Sequence, residues 1–179
     1  MNKNNLTLKD ILVAAYQNYK KGDFKTAEIL CYKILNINPN YLEVKILLAS
    51  ISAKEKNYTQ SKQLLNEVID IEPNNVSVLN NLGAACKELG ELKNAIDYYK
   101  KAIQIDPNNA NAYYNLGATC YNLKQLKEAK SYLQKAIELQ PNFALPFLIL
   151  GNTCTDLKEY ENAISNYQKA IAINYNLTG

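Results

Sequence analysis

Four of the five prolines in this 179-residue chain fall at Pro39, Pro73, Pro107 and Pro141, a constant interval of 34 residues, and each is followed by asparagine (Asn40, Asn74, Asn108, Asn142). A fixed interval of that length makes the chain an array of one supersecondary unit, because a proline that cannot continue a helix stops the same helix in every copy. Taking the proline as position 32 gives repeats at 8–41, 42–75, 76–109, 110–143 and 144–177, with tails at 1–7 and 178–179; Tyr175 stands where the fifth proline would be. Position 8 is then Ala15, Ala49, Gly83, Gly117 and Gly151, and position 20 is Ala27, Ser61, Ala95, Ala129 and Ala163. Both columns hold only small side chains, as a close crossing of two helices requires.

Apolar residues recur at helical spacing twice within each repeat, as in Leu79, Leu82, Cys86 and Leu89, then Leu92, Ala95, Ile96, Tyr99, Ala102 and Ile103. Gly22, Asn57, Gly90 and the segments around Lys124 and Lys158 mark the turns between the two helices. One hairpin cannot bury its own apolar face, and stacked hairpins can. The expected architecture is therefore all-α: a solenoid of antiparallel helical hairpins, about ten helices in a single domain over 8–177, with no sheet.

Composition narrows the function. The chain has no histidine, which removes the usual general base, the commonest metal ligand and every Ser-His or Cys-His triad, so it is expected not to be an enzyme and to carry no metal or other cofactor. Every basic residue is lysine, and lysines such as Lys87, Lys93, Lys127 and Lys130 are interleaved with Glu88, Glu91, Asp97 and Glu128. That mixed surface forms no basic stripe for nucleic acid. Cys86, Cys120 and Cys154 are again 34 apart, one structural position occurring three times, and with Cys31 they are expected to be small buried hydrophobes. The N-terminus lacks a secretory h-region, and the longest apolar run, 143–150, contains Pro146 and is too short to span a membrane. A cytoplasmic protein without membrane insertion is expected.

The 34-residue period, the segments Tyr113-Tyr114-Asn115-Leu116-Gly117 and Asn80-Asn81-Leu82-Gly83, the small residue of the second helix and the closing Asp106-Pro107 resemble the tetratricopeptide-repeat family over residues 8–177. The resemblance implies a concave groove lined by the first helix of each repeat, with a partner peptide contacting positions 2, 5, 6, 9, 12 and 13. On that basis the groove residues are Tyr16, Ile46 and Leu47 in repeats one and two, Asn80, Asn81 and Lys87 in repeat three, Asn111, Tyr114, Asn115 and Tyr121 in repeat four, and Leu148 and Asn152 in repeat five. Asn81 and Asn115 resemble two rungs of the asparagine ladder that holds peptide backbones in a glycosyltransferase superhelix. The family's clamp for the C-terminal carboxylate of heat-shock chaperones is not expected, because no frame supplies its two lysines: Ile46 and Ser50 precede Asn81, and Leu145 and Ile149 follow Asn115. The implied function is a protein-interaction scaffold that holds a segment of a partner protein in the groove. The alternative is the substrate-recruiting or dimerising N-terminal arm of a larger enzyme of glycosyltransferase or methyltransferase type. The second helix of repeat five, with Ile164, Tyr167, Ile171 and Ile173 uncovered, points to a homodimer through the C-terminal helix.

Overall fold

The computed structural model describes residues 7–176, with side chains as far as Asn174. Ten α-helices occur among them: α1 (Leu8–Lys21), α2 (Phe24–Leu35), α3 (Leu42–Lys54), α4 (Tyr58–Ile69), α5 (Val76–Glu88), α6 (Leu92–Ile105), α7 (Ala110–Asn122), α8 (Leu126–Leu139), α9 (Ala144–Asp156) and α10 (Tyr160–Asn176). Odd-numbered helices begin at position 1 of each repeat and even-numbered helices at position 17, without a slip. The chain is an all-helical solenoid of hairpins, and no strand occurs among the described residues. Of the expected tails, 1–6 and 178–179 lie outside the described residues. Thr7 caps α1, its hydroxyl accepting from the Asp10 N–H at 3.2 Å while the Asp10 carboxylate accepts from the Thr7 N–H at 2.9 Å.

The helices stop and turn for reasons that repeat. Residue 15 of every hairpin has positive φ: Gly22 at 81°, Lys56 at 63°, Gly90 at 78°, Lys124 at 60° and Lys158 at 63°. Across each of these residues the next N–H donates to the position-11 carbonyl, as from Asp23 to Asn18 (3.0 Å), Asn57 to Ser52 (2.8 Å) and Gln125 to Cys120 (2.9 Å). That bond satisfies a carbonyl the helix end would otherwise orphan. In the second hairpin the left-handed residue is therefore Lys56, and Asn57, expected at the turn, is the cap of α4, accepting from the Gln60 N–H at 3.2 Å.

Two compact units make up the chain, Met1–Pro73 with α1–α4 and Asn74–Gly179 with α5–α10. The first is built on Ile11, Leu12, Ile34, Val44, Leu48 and Ile51. The second is built on Tyr99, Leu116, Leu133 and Leu150 with Cys86, Cys120 and Cys154. All four cysteines are buried and in no disulfide, and burial pushes the Cys31 thiol up to about 12.

Both small-residue columns are buried, and the glycines show why. A Cβ added at Gly83 would lie 2.5 Å from the Tyr99 ring, at Gly117 2.8 Å from Leu133 Cγ, and at Gly151 2.5 Å from the Tyr167 ring. Position 8 is thus where the second helix inserts its position-24 side chain against the first helix's backbone. Buried hydroxyls are returned to their own helix: Ser52 donates to the Leu48 carbonyl (2.9 Å), Thr119 to Asn115 (2.8 Å) and Thr153 to Ile149 (2.7 Å).

Candidate functional site

Within each unit the first helices of successive hairpins touch one another directly, α1 with α3, α5 with α7 and α7 with α9, while the second helices pack chiefly between first helices. The first helices therefore form the inner layer on which a groove can lie. In the Asn74–Gly179 unit that layer is α5, α7 and α9.

The expected groove residues on α5 and α7 are a run of side-chain amides and phenols. Asn81 and Asn111 are exposed, and Asn80 and Asn115 are half-buried. The Asn80 amide donates to Asn109 Oδ1 at 3.4 Å, and its own buried Oδ1 has no hydrogen-bond partner. Tyr114 packs its ring against Phe143, centroids 5.1 Å apart, and Tyr121 lies under the Lys124 ammonium at 5.2 Å. Lys87 pairs with Glu88 at 3.1 Å, which leaves the stretch close to neutral. An amide offers both a donor and an acceptor, the complement of a peptide group.

On α9 the character changes. Leu148 is 43% exposed, and the Asn152 side chain already accepts from the Tyr167 hydroxyl at 2.8 Å. In the Met1–Pro73 unit Tyr16 and Ile46 are half-buried, and burial, with the Glu43 carboxylate second, raises the Tyr16 hydroxyl above the usual phenol range. Leu47, expected on the groove, is a core residue, 2% exposed and clustered with Val44, Leu48 and Ile51. It offers a ligand nothing while α3 stays packed.

Residue columns explain a feature that groove positions alone miss. Tyr167 is satisfied because position 9 of its hairpin is Asn152; in the third hairpin position 9 is Ala84, and the hydroxyl of Tyr99, fully buried, has no hydrogen-bond partner. Burial, and then the charges of Cys86 and Glu88, push that hydroxyl well above the usual phenol range. Tyr99→Phe is expected to stabilise the protein by about 1 kcal/mol, since it deletes an unmet polar group and keeps the ring, whereas Tyr167→Phe breaks a bond and should cost about as much. Urea melts of the two variants check this, and shifts in the same direction would overturn it.

Among the described residues no group of three or more histidine, cysteine, aspartate or glutamate side chains could hold a metal ion, and no helix is long and apolar enough to cross a membrane.

Family models described as tetratricopeptide repeat match residues 19–86, 110–143 and 147–177, and one described as TPR repeat matches 84–124. The fold is similar to MamA from Desulfovibrio magneticus RS-1 (TM-score 0.82, 19% identity, 94% of this chain and 96% of that one). It is also similar to PilF of Pseudomonas aeruginosa (TM-score 0.83, 21% identity, 92% and 75%). A third similar structure is YrrB, described as a TPR protein with an unusual peptide-binding site (TM-score 0.71, 20% identity, 96% and 88%). A comparison with curated protein sequences finds no match.

Proposed function

Because the chain belongs to the tetratricopeptide-repeat family, we propose that it is a non-enzymatic interaction scaffold that holds an extended segment of a partner protein along α5 and α7. The observation that carries this reading is the neutral wall of Asn80, Asn81, Asn111 and Asn115 with Tyr114 and Tyr121 beside it. Side-chain amides can bond a peptide backbone in either sense, and phenol rings can cover its side chains. A rigid array presents these groups already aligned, so little ordering of the receptor opposes binding. The peptide-binding site in the description of YrrB lends the reading support by analogy of fold. Four buried cysteines in no disulfide suit a reducing compartment and support a cytoplasmic location. The exposed face of α10, with Ile164 and Ile171, is assigned to a second copy of the chain.

The test uses a peptide selected on the wild-type chain from a display library. The double variant Asn81→Ala with Asn115→Ala should bind it about 30-fold more weakly, two lost hydrogen bonds at about 1 kcal/mol each. Helicity by circular dichroism should be unchanged, because neither side chain belongs to the core clusters. Equal affinity in the double variant would sink the groove reading.

A further inference from the structure

Tyrosine stands at position 24 in two hairpins, Tyr99 in the third and Tyr167 in the fifth. The two rings cross their partner helices alike: a Cβ added at Gly83 would lie 2.5 Å from Tyr99 Cε1, and one at Gly151 2.5 Å from Tyr167 Cε1. The hydroxyls therefore reach corresponding places. That of Tyr167 donates to Asn152 Oδ1 at 2.8 Å and lies 3.3 Å from Thr155 Oγ1, at positions 9 and 12 of its hairpin. Both positions belong to the groove face. By this correspondence the Tyr99 hydroxyl is aimed at the groove wall of α5, beside Ala84 and Lys87. Alanine offers no polar atom, so the hydroxyl lacks the carboxamide that Asn152 supplies in the fifth hairpin.

A second unmet group lies one turn away on the same face. Asn80 precedes Ala84 by four residues, a spacing that sets two side chains about 5–6 Å apart on one side of a helix. Its buried Oδ1 has no hydrogen-bond partner, and its amide nitrogen is already engaged with Asn109 Oδ1 at 3.4 Å. The wall thus holds an unused hydroxyl, which can donate, near an unused amide oxygen, which can only accept. Buried polar atoms are seldom left unpaired, and two of them on one binding face point to a group that completes both. The flanking groove residues leave room for one to arrive. Ala84 ends at Cβ, and Lys87, its side chain 29% exposed, pairs with Glu88 at the surface. Such a side chain changes rotamer within nanoseconds, so the hydroxyl is uncovered without any change in the backbone.

We propose that the place beside Ala84 is the specificity-determining subsite of the groove, and that it takes the side-chain carboxamide of a glutamine or asparagine in the bound segment. The carboxamide oxygen accepts from the Tyr99 hydroxyl, as Asn152 does from Tyr167, and its N–H donates to Asn80 Oδ1. A carboxylate lacks that donor, and an aliphatic side chain leaves both atoms unmet. The proposal rests on the groove reading above and adds which side chain the groove selects.

The experiment selects random linear peptides displayed on phage against the full chain, and separately against Tyr99→Phe. Peptides selected on the wild type should share glutamine or asparagine at one position, and those selected on Tyr99→Phe should not. One wild-type peptide is then titrated by calorimetry beside its forms with methionine and with glutamate at that position. On the wild-type chain the methionine form should bind about 30-fold more weakly, for two lost hydrogen bonds. Tyr99→Phe should weaken the carboxamide peptide about five-fold and leave the methionine form unchanged, a coupling that only direct contact gives. The same variant should raise the melting temperature of the free chain, whereas a tyrosine with a purely structural role would move stability and affinity together. Ala84→Asn, which supplies the carboxamide from within as in the fifth hairpin, should abolish the preference; if it does not fold, Tyr99→Phe decides. Absence of a shared carboxamide, equal losses on both peptides in Tyr99→Phe, or a glutamate form that binds as tightly would overturn the proposal. Weaker binding by Asn81→Ala with Asn115→Ala, but no coupling at Tyr99, would remove this inference and leave the groove reading standing.

Discussion

Replacing Gly117 with leucine is expected to lower the melting temperature by roughly 6–12 °C, from a cost of about 3 kcal/mol at 2–4 °C per kcal/mol for a chain of this length. The first atom of the new side chain would stand 2.8 Å from Leu133 Cγ and 3.2 Å from the Leu133 backbone nitrogen. A side chain can rotate away from such a contact, but the backbone nitrogen can move only if α8 moves. Relief by shifting α8 would carry strain to its neighbours α7 and α9, because a solenoid hairpin is held only by adjacent hairpins. Adding Leu133→Ala should return part of the loss, since it empties the space the new leucine needs. Thermal melts followed by circular dichroism test both variants. An unchanged melting temperature in Gly117→Leu would mean that the helix crossing does not lie at position 8.

Light scattering at micromolar concentration is expected to give a mass of twice 20.2 kDa. The reason is the uncovered side of α9 and α10, where Leu145 (48%), Leu148 (43%), Ile164 (58%) and Ile171 (65%) are exposed large apolar residues. Leu145, Leu148 and Ile171 also line an apolar pocket of 270 Å³ with Tyr167 and Ala170. Monomers seldom leave contiguous patches of this kind in water, and a two-fold axis lets each copy cover the other with the same face. Ile164→Lys with Ile171→Lys should bring the mass to 20.2 kDa without loss of helicity, because both residues are exposed and like charges would meet across the axis. A wild-type mass of 20.2 kDa throughout that range would remove the dimer from the proposed function.

The repeated helical hairpin was legible because proline and small residues report on backbone events, and those recur whatever the surface does. The apex of the second turn was not. Lysine gives no sign that it will take positive φ, so Asn57 drew attention while Lys56 made the turn. Groove positions were legible as faces of helices, yet whether a side chain on that face is available depends on the column behind it. Asn152 is engaged because position 24 of its hairpin is Tyr167, and Leu47 is engaged because α3 is apolar nearly all round.

Lys56, Lys124 and Lys158 adopt the same conformation as Gly22 and Gly90, so the hairpin tip is specified by the backbone bond that crosses it and not by the residue at its apex. Apart from Lys124, which pairs with Asp156 at 2.9 Å and lies over the Tyr121 ring, the exposed side chains at the tips support no contact described above. In engineering terms they are equivalent joints, at which the polypeptide can be opened or lengthened to accept an affinity tag, a fluorophore or a second folded module while the packed layers stay as they are.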